Sequence, residues 1–359
     1  MNTTHIKNRY WLLFALLIIL APSVGAEAWD DIKKKEFNQT FKVDANGQLR
    51  IENRYGNITI THWDKNEVAI QVIVESKARS ESEAQKGLDR VSIELRQSGN
   101  TVYGLTSFKS QNGWNNSGDG NRINIDYHIS MPAKFAANLS QKYGNINLPE
   151  KNEGEYTMEV KYGNIAAGSF TAPLRIDAGY SNIKLEDVKS LQLDVAYCGN
   201  VTINDGKEIK IDSKYSNLRM GNVSQLTIDK KYGNLQVQNV DRMAIEVKYS
   251  ECSVEQIKDD LNCSLSYSTL TVKELSPTFS RVRAEARYGN LNLSISSKAS
   301  FQVNAKDMKY GSIEMKGFNI TTTAVEEKVN YNYRINNASG SGAINFEGNN
   351  YSNIRIKAL

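Results

Sequence analysis

The sequence predicts an all-β protein: a parallel β-solenoid (β-helix) with coils of about 18 residues, preceded by an N-terminal β-rich section carrying one short helix. Three observations predict it. The 359 residues include 38 Asn and 24 Gly but only 5 Pro, a composition suited to many tight bends between short strands. A Tyr followed by Gly or Ser, then usually Asn and an aliphatic residue, recurs at Tyr143, Tyr162, Tyr180, Tyr197, Tyr215, Tyr232, Tyr249, Tyr267, Tyr288 and Tyr310, in steps of 17 to 22 residues. With further copies at Tyr55 and Tyr351, 12 of the 18 Tyr occupy one motif position. Around each Tyr, apolar and polar side chains alternate, and the phase of that alternation reverses at the motif.

Residues 1–26 read as a secretory signal. Lys7 and Arg9 precede an apolar run over 11–21, and Val24, Gly25 and Ala26 supply small residues for cleavage. That run is shorter than the ~20 residues of a membrane-spanning helix. The expected location is therefore periplasm, outer surface or secreted medium, with no transmembrane segment after cleavage. Residues 27–140 form the β-rich section. It opens with a first repeat copy over 48–63, then an apolar strand over 68–74. A short helix is expected to begin near Ser80, with Glu83 completing a capping box. Strands at about 91–97, 101–107 and 122–131 follow. The aperiodic loop 111–121 between the last two is expected to be mobile, with Trp114 exposed.

Residues 141–318 carry the regular repeats. Six, four and two residues before the Tyr stand apolar sets such as Leu174, Ile176, Ala178 and Leu191, Leu193, Val195; three and five after it stand Ile183 and Leu185, or Leu218 and Met220. The opposite parity of the two sets demands a corner at the motif. Gly or Ser there permits close approach, and Asn supplies left-handed backbone angles or a side-chain bond to the backbone. Another apolar position recurs eight residues after the Tyr, as at Phe170, Val188 and Val223, and suggests a second corner. So short a unit buries nothing alone, and stacking with parallel pairing gives a shared core. Nine steps at the ~4.8 Å strand spacing make a rod on the order of 43 Å long. A β-sandwich is the competing fold, but hairpins rarely hold one motif at constant spacing. Residues 319–359 return to alternation and are read as capping strands.

Chemistry is sparse. Lys and Arg total 44 against 40 Asp and Glu, a net charge of +4 too small to argue for a nucleic-acid partner. The three His, among them the isolated His62 and His128, exclude a dense His-built metal centre. Cys198, Cys252 and Cys263 permit one disulfide, although buried unpaired thiols are the simpler reading. No nucleotide, hydrolase or metalloprotease motif is present, so no catalytic residue and no cofactor is assigned.

Two columns stand out. Three residues before the Tyr lie Glu159, Asp177, Asp194, Asp212, Asp229, Glu246, Glu285 and Asp307. One residue before it lie Lys142, Lys161, Lys214, Lys231, Lys248, Arg287 and Lys309. Both offsets have outward parity, and a cationic column relieves repulsion between stacked acids. The plain reading is a solvated charge lattice. The functional one is a ligand-binding stripe of Asp177, Asp194, Asp212, Asp229 and Glu246 with Lys214, Lys231 and Lys248, facing a polysaccharide or a surface protein. The Tyr column follows the buried parity, so its rings are expected inward or at the corner as a structural ladder. An exposed stripe for sugar stacking is the alternative.

The run Leu49-Arg-Ile-Glu-Asn-Arg-Tyr-Gly-Asn-Ile-Thr-Ile60 followed by Trp63-Asp64, with the later Tyr-Gly-Asn-Ile units, resembles the bacterial domain-of-unknown-function family of putative adhesins. That group is similar to the head domain, named for Gly-Ile-Asn repeats, of autotransporter adhesins. The resemblance spans roughly 40–359 and implies a β-solenoid at the envelope or cell surface. Glu251, Thr269 and Ser312 depart from it in the Asn slot. The resulting expectation is a non-enzymatic exported protein, an adhesin or envelope-surface binding protein. The alternatives are a polysaccharide-active β-helix enzyme using Asp194, Asp212 and Asp229 with Lys214 and Lys231, or a purely structural periplasmic protein.

Overall fold

The structure is a computed structural model that describes residues 31–44, 46–109, 122–326, 330–336, 342–348 and 350–359. The predicted signal over 1–26 and the loop around Trp114 lie outside the described residues. Among those described, the chain is all-β with one helix, Glu81–Arg90. The helix begins where expected, Ser80 accepting from the Glu83 N–H at 3.3 Å. The strands join into one mixed sheet, nearly closed around a continuous apolar core.

The wholly parallel sheet that the repeat predicts is not what forms, because both ends pair antiparallel. Val91–Ser98 and Thr101–Phe108 are joined by two residues, and so short a link reverses the chain. Gly99 takes φ +56° in that turn. The 12-residue strands Asp31–Lys42 and Glu67–Ala78 also run antiparallel, and the second pairs antiparallel with Arg122–Pro132. Near the other end, Asn330–Ile335 is antiparallel to both Phe301–Lys306 and Ile320–Glu326.

Between these ends the pairing is parallel and follows the repeat. Met158 pairs with Ile176, Ile176 with Leu193, Leu193 with Ile211 and Ile211 with Ile228. After the motif, Ile165 pairs with Ile183, Ile183 with Val201 and Val201 with Leu218. Extended structure runs without interruption for 49 residues over Leu218–Ser266. A straight strand of that length would span roughly 160 Å, so the run must turn corners while it stays hydrogen-bonded. The apolar positions on both sides of the motif are buried, and so are the second-corner residues Phe170, Val188, Val223, Val240, Ile257 and Leu275. The first copy joins this stack, since Gln48–Arg54 pairs parallel with Ala136–Lys142. The last copy does not follow Tyr310 but enters before it: Gly342–Glu347 lies between Arg281–Arg287 and Phe301–Lys306, and Asn353–Ala358 between Asn290–Ile295 and Ser312–Lys316.

The corner differs from expectation in which residue bends. All 12 motif Tyr have φ between 50° and 64°, so Tyr itself takes the left-handed turn and Asn does not. That conformation costs a non-Gly residue on the order of 1 kcal/mol, which a stacked aromatic contact of similar size offsets. The Asn instead builds a side-chain ladder. The Asn164 side-chain amide donates to Asn145 Oδ1 at 2.9 Å, and Asn164 Oδ1 accepts from the Asn182 side-chain amide at 2.9 Å and from its N–H at 3.3 Å. Glu251 and Thr269 interrupt the ladder, where the Asn290 amide donates to Thr269 Oγ1 at 3.4 Å. Asn164→Ala is expected to cost about 1 kcal/mol by chemical denaturation, because these bonds are exposed and water replaces part of them.

Candidate functional site: the stacked outer face

The left-handed turn swings each Tyr ring out of the strand alternation, so of the two expected placements, inward or at the corner, the stacked corner ladder is the one that forms. Parity counting assumes extended backbone at every residue, and Tyr breaks that assumption. From Tyr143 to Tyr351 the motif rings are 39–79% exposed. They form one stack in the order Tyr55, Tyr143, Tyr162, Tyr180, Tyr197, Tyr215, Tyr232, Tyr249, Tyr267, Tyr288, Tyr351, Tyr310. Neighbouring centroids are 4.6–5.3 Å apart and neighbouring planes within 13°. Each interior ring therefore has both faces covered, so the stripe presents edges and hydroxyls and offers no free face for a sugar. Tyr310, at the end of the stack, is the most exposed at 79%.

Beside the rings runs the acid column, in register. Glu159 pairs with Asp177, Asp177 with Asp194, Asp194 with Asp212 and Asp212 with Asp229. Unit charges at strand spacing repel, and the lysines two residues along the same strands answer them. Lys161 lies 2.9 Å from Glu159, Lys214 3.7 Å from Asp212, Lys231 3.9 Å from Asp229 and Lys248 2.7 Å from Glu246. The Lys248 hydrogen bond holds the Glu246 carboxyl below its usual pKa, and Glu246 raises Lys248 in return. Raising of a carboxyl pKa, which a general acid needs, is the opposite change. The acids Asp194, Asp212, Asp229 and Glu246 line a trough of about 590 Å³ with Gln192, Lys210 and Thr227. All eight residues of the predicted stripe thus lie on this face.

Inside the corner, the close approach expected at the small residue is present, and one feature, Lys230, was not read from the sequence. Gly144 and Gly163 are required by space: a Cβ on Gly144 would lie 1.5 Å from Gly56 O, and one on Gly163 1.8 Å from Gly144 O. Lys230 occupies an inward slot and is fully buried, donating to Ser216 O at 2.6 Å. Burial lowers its pKa from 10.5 to about 8. Its position two residues before Tyr232, a slot that is apolar in most repeats and never otherwise charged, was the available signal.

The three Cys are free and buried, with Cys252 and Cys263 pushed up to about 12 by burial. His62 is partly buried, with Nε2 3.3 Å from the Tyr156 hydroxyl, and burial lowers its pKa. His128 is exposed on its strand. Among the described residues, no group of three or more His, Cys, Asp or Glu is placed to hold a metal ion, and no helix is long and apolar enough to cross a membrane.

No protein-family model and no curated protein matches the chain. Similar solved structures include one described as a putative cell adhesion protein from Clostridium sporogenes, 13% identical over 91% of this chain and 100% of that one, with a TM-score of 0.20. Two others come from Parabacteroides distasonis. One is described as a putative adhesin, 10% identical over 73% of this chain and 93% of that one, with a TM-score of 0.31. The other is described as a putative lipid binding protein, 11% identical over 89% of this chain and 96% of that one, with a TM-score of 0.30.

Proposed function

We propose that the chain is an exported, non-enzymatic β-solenoid that binds an envelope or cell-surface partner through its outer face. The in-register parallel pairing between strands one repeat apart supports the solenoid reading, with antiparallel strands closing its two ends. One observation carries the functional part: the Tyr edges, lysines and acids form parallel columns repeating at a single spacing near 5 Å. A periodic face of this kind engages a periodic or extended partner, such as a polysaccharide or surface protein, by summing many weak contacts. The enzyme reading finds less support. Lys214 and Lys231 are engaged with Asp212 and Asp229, and the same pairing recurs at Glu159 with Lys161 and at Glu246 with Lys248, so these two lysines belong to a repeated lattice.

The test combines surface labelling of intact cells with a glycan and matrix-protein array. The expected result is labelling from outside and retention on at least one array member. Asp212→Asn combined with Asp229→Asn is expected to weaken that retention at least fivefold while the circular dichroism stays unchanged. A folded protein labelled only after the outer membrane is opened, and retained on no array member, contradicts the proposal.

A further inference from the structure

At one place in the charge lattice two neighbouring acids stand without their bases. An acid three residues before the motif Tyr is elsewhere accompanied by Lys or Arg one residue before it, as in Glu159 with Lys161, Asp212 with Lys214 and Glu285 with Arg287. At Asp177 and Asp194 the base is absent, because Gly179 and Ala196 stand in its place. These two repeats are neighbours, Asp177 pairing with Asp194 and Gly179 with Ala196. The gap is a notch of about 330 Å³, lined by Asp177, Asp194, Tyr180 and Tyr197 and bounded by Lys161 and Lys214 from the repeats on either side.

The adjoining repeats show what such a notch accepts. There the protein's own alkyl-ammonium chain fills it: Lys161 Nζ reaches Glu159 at 2.9 Å, and Lys214 Nζ lies 3.7 Å from Asp212. We propose that the notch beside Tyr180 and Tyr197 binds a short aliphatic diamine, its ammonium groups taking the places of the two missing lysines. The two strands put the carboxylates about 4.8 Å apart along the axis, within reach of both ends of a short diamine. The Tyr edges flank its alkyl stem. Lys161 and Lys214 repel anything cationic that extends further along the stripe, so the notch selects a short ligand over a long polycation. Arg175 approaches Asp194 at 3.8 Å from the adjoining column and Lys161 interacts electrostatically with Asp177, so each ammonium shares its carboxylate with a resident cation. The inference rests on the outer face being a binding face, and it names the chemistry of one place on it.

The test is a titration of the full chain with putrescine at low ionic strength, followed by NMR of the Tyr180 and Tyr197 ring signals. Exposed charges bind weakly, so saturation is expected with a Kd on the order of 1 mM, weakening as salt is added. The deciding variant refills the gap with Gly179→Lys and Ala196→Lys. A Cβ on Gly179 meets nothing closer than Ala196 O at 3.8 Å, so this variant is expected to fold and to bind putrescine at least tenfold more weakly. Asp177→Asn with Asp194→Asn is expected to do the same. The proposal is overturned by an absence of saturation, by equal binding to the refilled variant, or by calcium saturating the same signals more tightly than putrescine. It is equally overturned if polylysine binds wild type and refilled protein alike while putrescine does not bind. An array ligand that the refilled protein still retains leaves the surface-binding reading intact whatever putrescine does.

Discussion

Replacing Gly163 with Val is expected to destabilise the protein by on the order of 3 kcal/mol or more. At this corner the backbones of successive repeats approach so closely that a Cβ would lie 1.8 Å from Gly144 O. The obstacle is a main-chain carbonyl within the hydrogen-bonded stack, which cannot swing aside as a flexible side chain does. Neither Gly144 nor Gly163 has positive φ, so the cause is space and not left-handed backbone. Gly179→Ala is the control, because its added methyl has room, and removal of Gly flexibility from the unfolded chain offsets part of any cost. Urea denaturation of the pair should show a large loss for the first and less than about 1 kcal/mol for the second. Equal effects would mean that the close approach of the corners does not exist.

The second large effect concerns Lys230 and pH. Its ammonium is buried, and the pKa falls from 10.5 to about 8. Below about pH 8 both folded and unfolded chains carry the proton, and the folded chain bears the full desolvation penalty. Between about 8 and 10.5 the unfolded chain holds more protons than the folded one, so this group makes stability rise with pH through that window. The whole change is at most on the order of 3 kcal/mol. Lys230→Gln separates the charge from its hydrogen bond. In an earlier repeat Gln141, from the same inward slot, donates to Gly56 O at 2.7 Å, as Lys230 does to Ser216 O. The variant is therefore expected to keep the corner bond, gain stability at pH 7 and lose the excess slope above pH 8. Denaturation midpoints of both proteins at pH 7 and 9.5 check this, with the predicted gap narrowing at the higher pH. A gap that stays constant or widens rejects a buried, charged Lys230.

Much of this was legible in the residues. Alternation with a reversal at Tyr identified the buried sets on both sides of the corner, and the Ser80 and Glu83 pair located the helix start. What parity could not decide was whether the Tyr rings point inward or stack at the corner, because a single left-handed residue ends the counting rule. Antiparallel pairing at the ends follows from short links such as the one at Gly99, which repeat arithmetic ignores. Entry of the Tyr351 copy before Tyr310 depends on long-range pairing that no local pattern encodes. The missing lysines at Gly179 and Ala196 were in plain sight, but they acquire meaning only once acid, lysine and Tyr edge are known to share one face. Lys230 was hidden by its neighbour Lys231, which fits the outward column and drew the charge assignment to itself.

The measurement that bears most directly on the central claim is a pair of spin-label distances along one column. Asn138, Thr157, Arg175, Gln192, Lys210 and Thr227 pair in succession from strand to strand. The native thiols are buried, so labels at introduced Asn138→Cys with Lys210→Cys, and at Asn138→Cys with Thr227→Cys, report the intended sites. Stacking in register predicts backbone separations of about 19 Å for four steps and about 24 Å for five, an increment of one strand spacing. Two distances that are equal, or that shorten from Lys210 to Thr227, would place these strands on different layers and contradict the account.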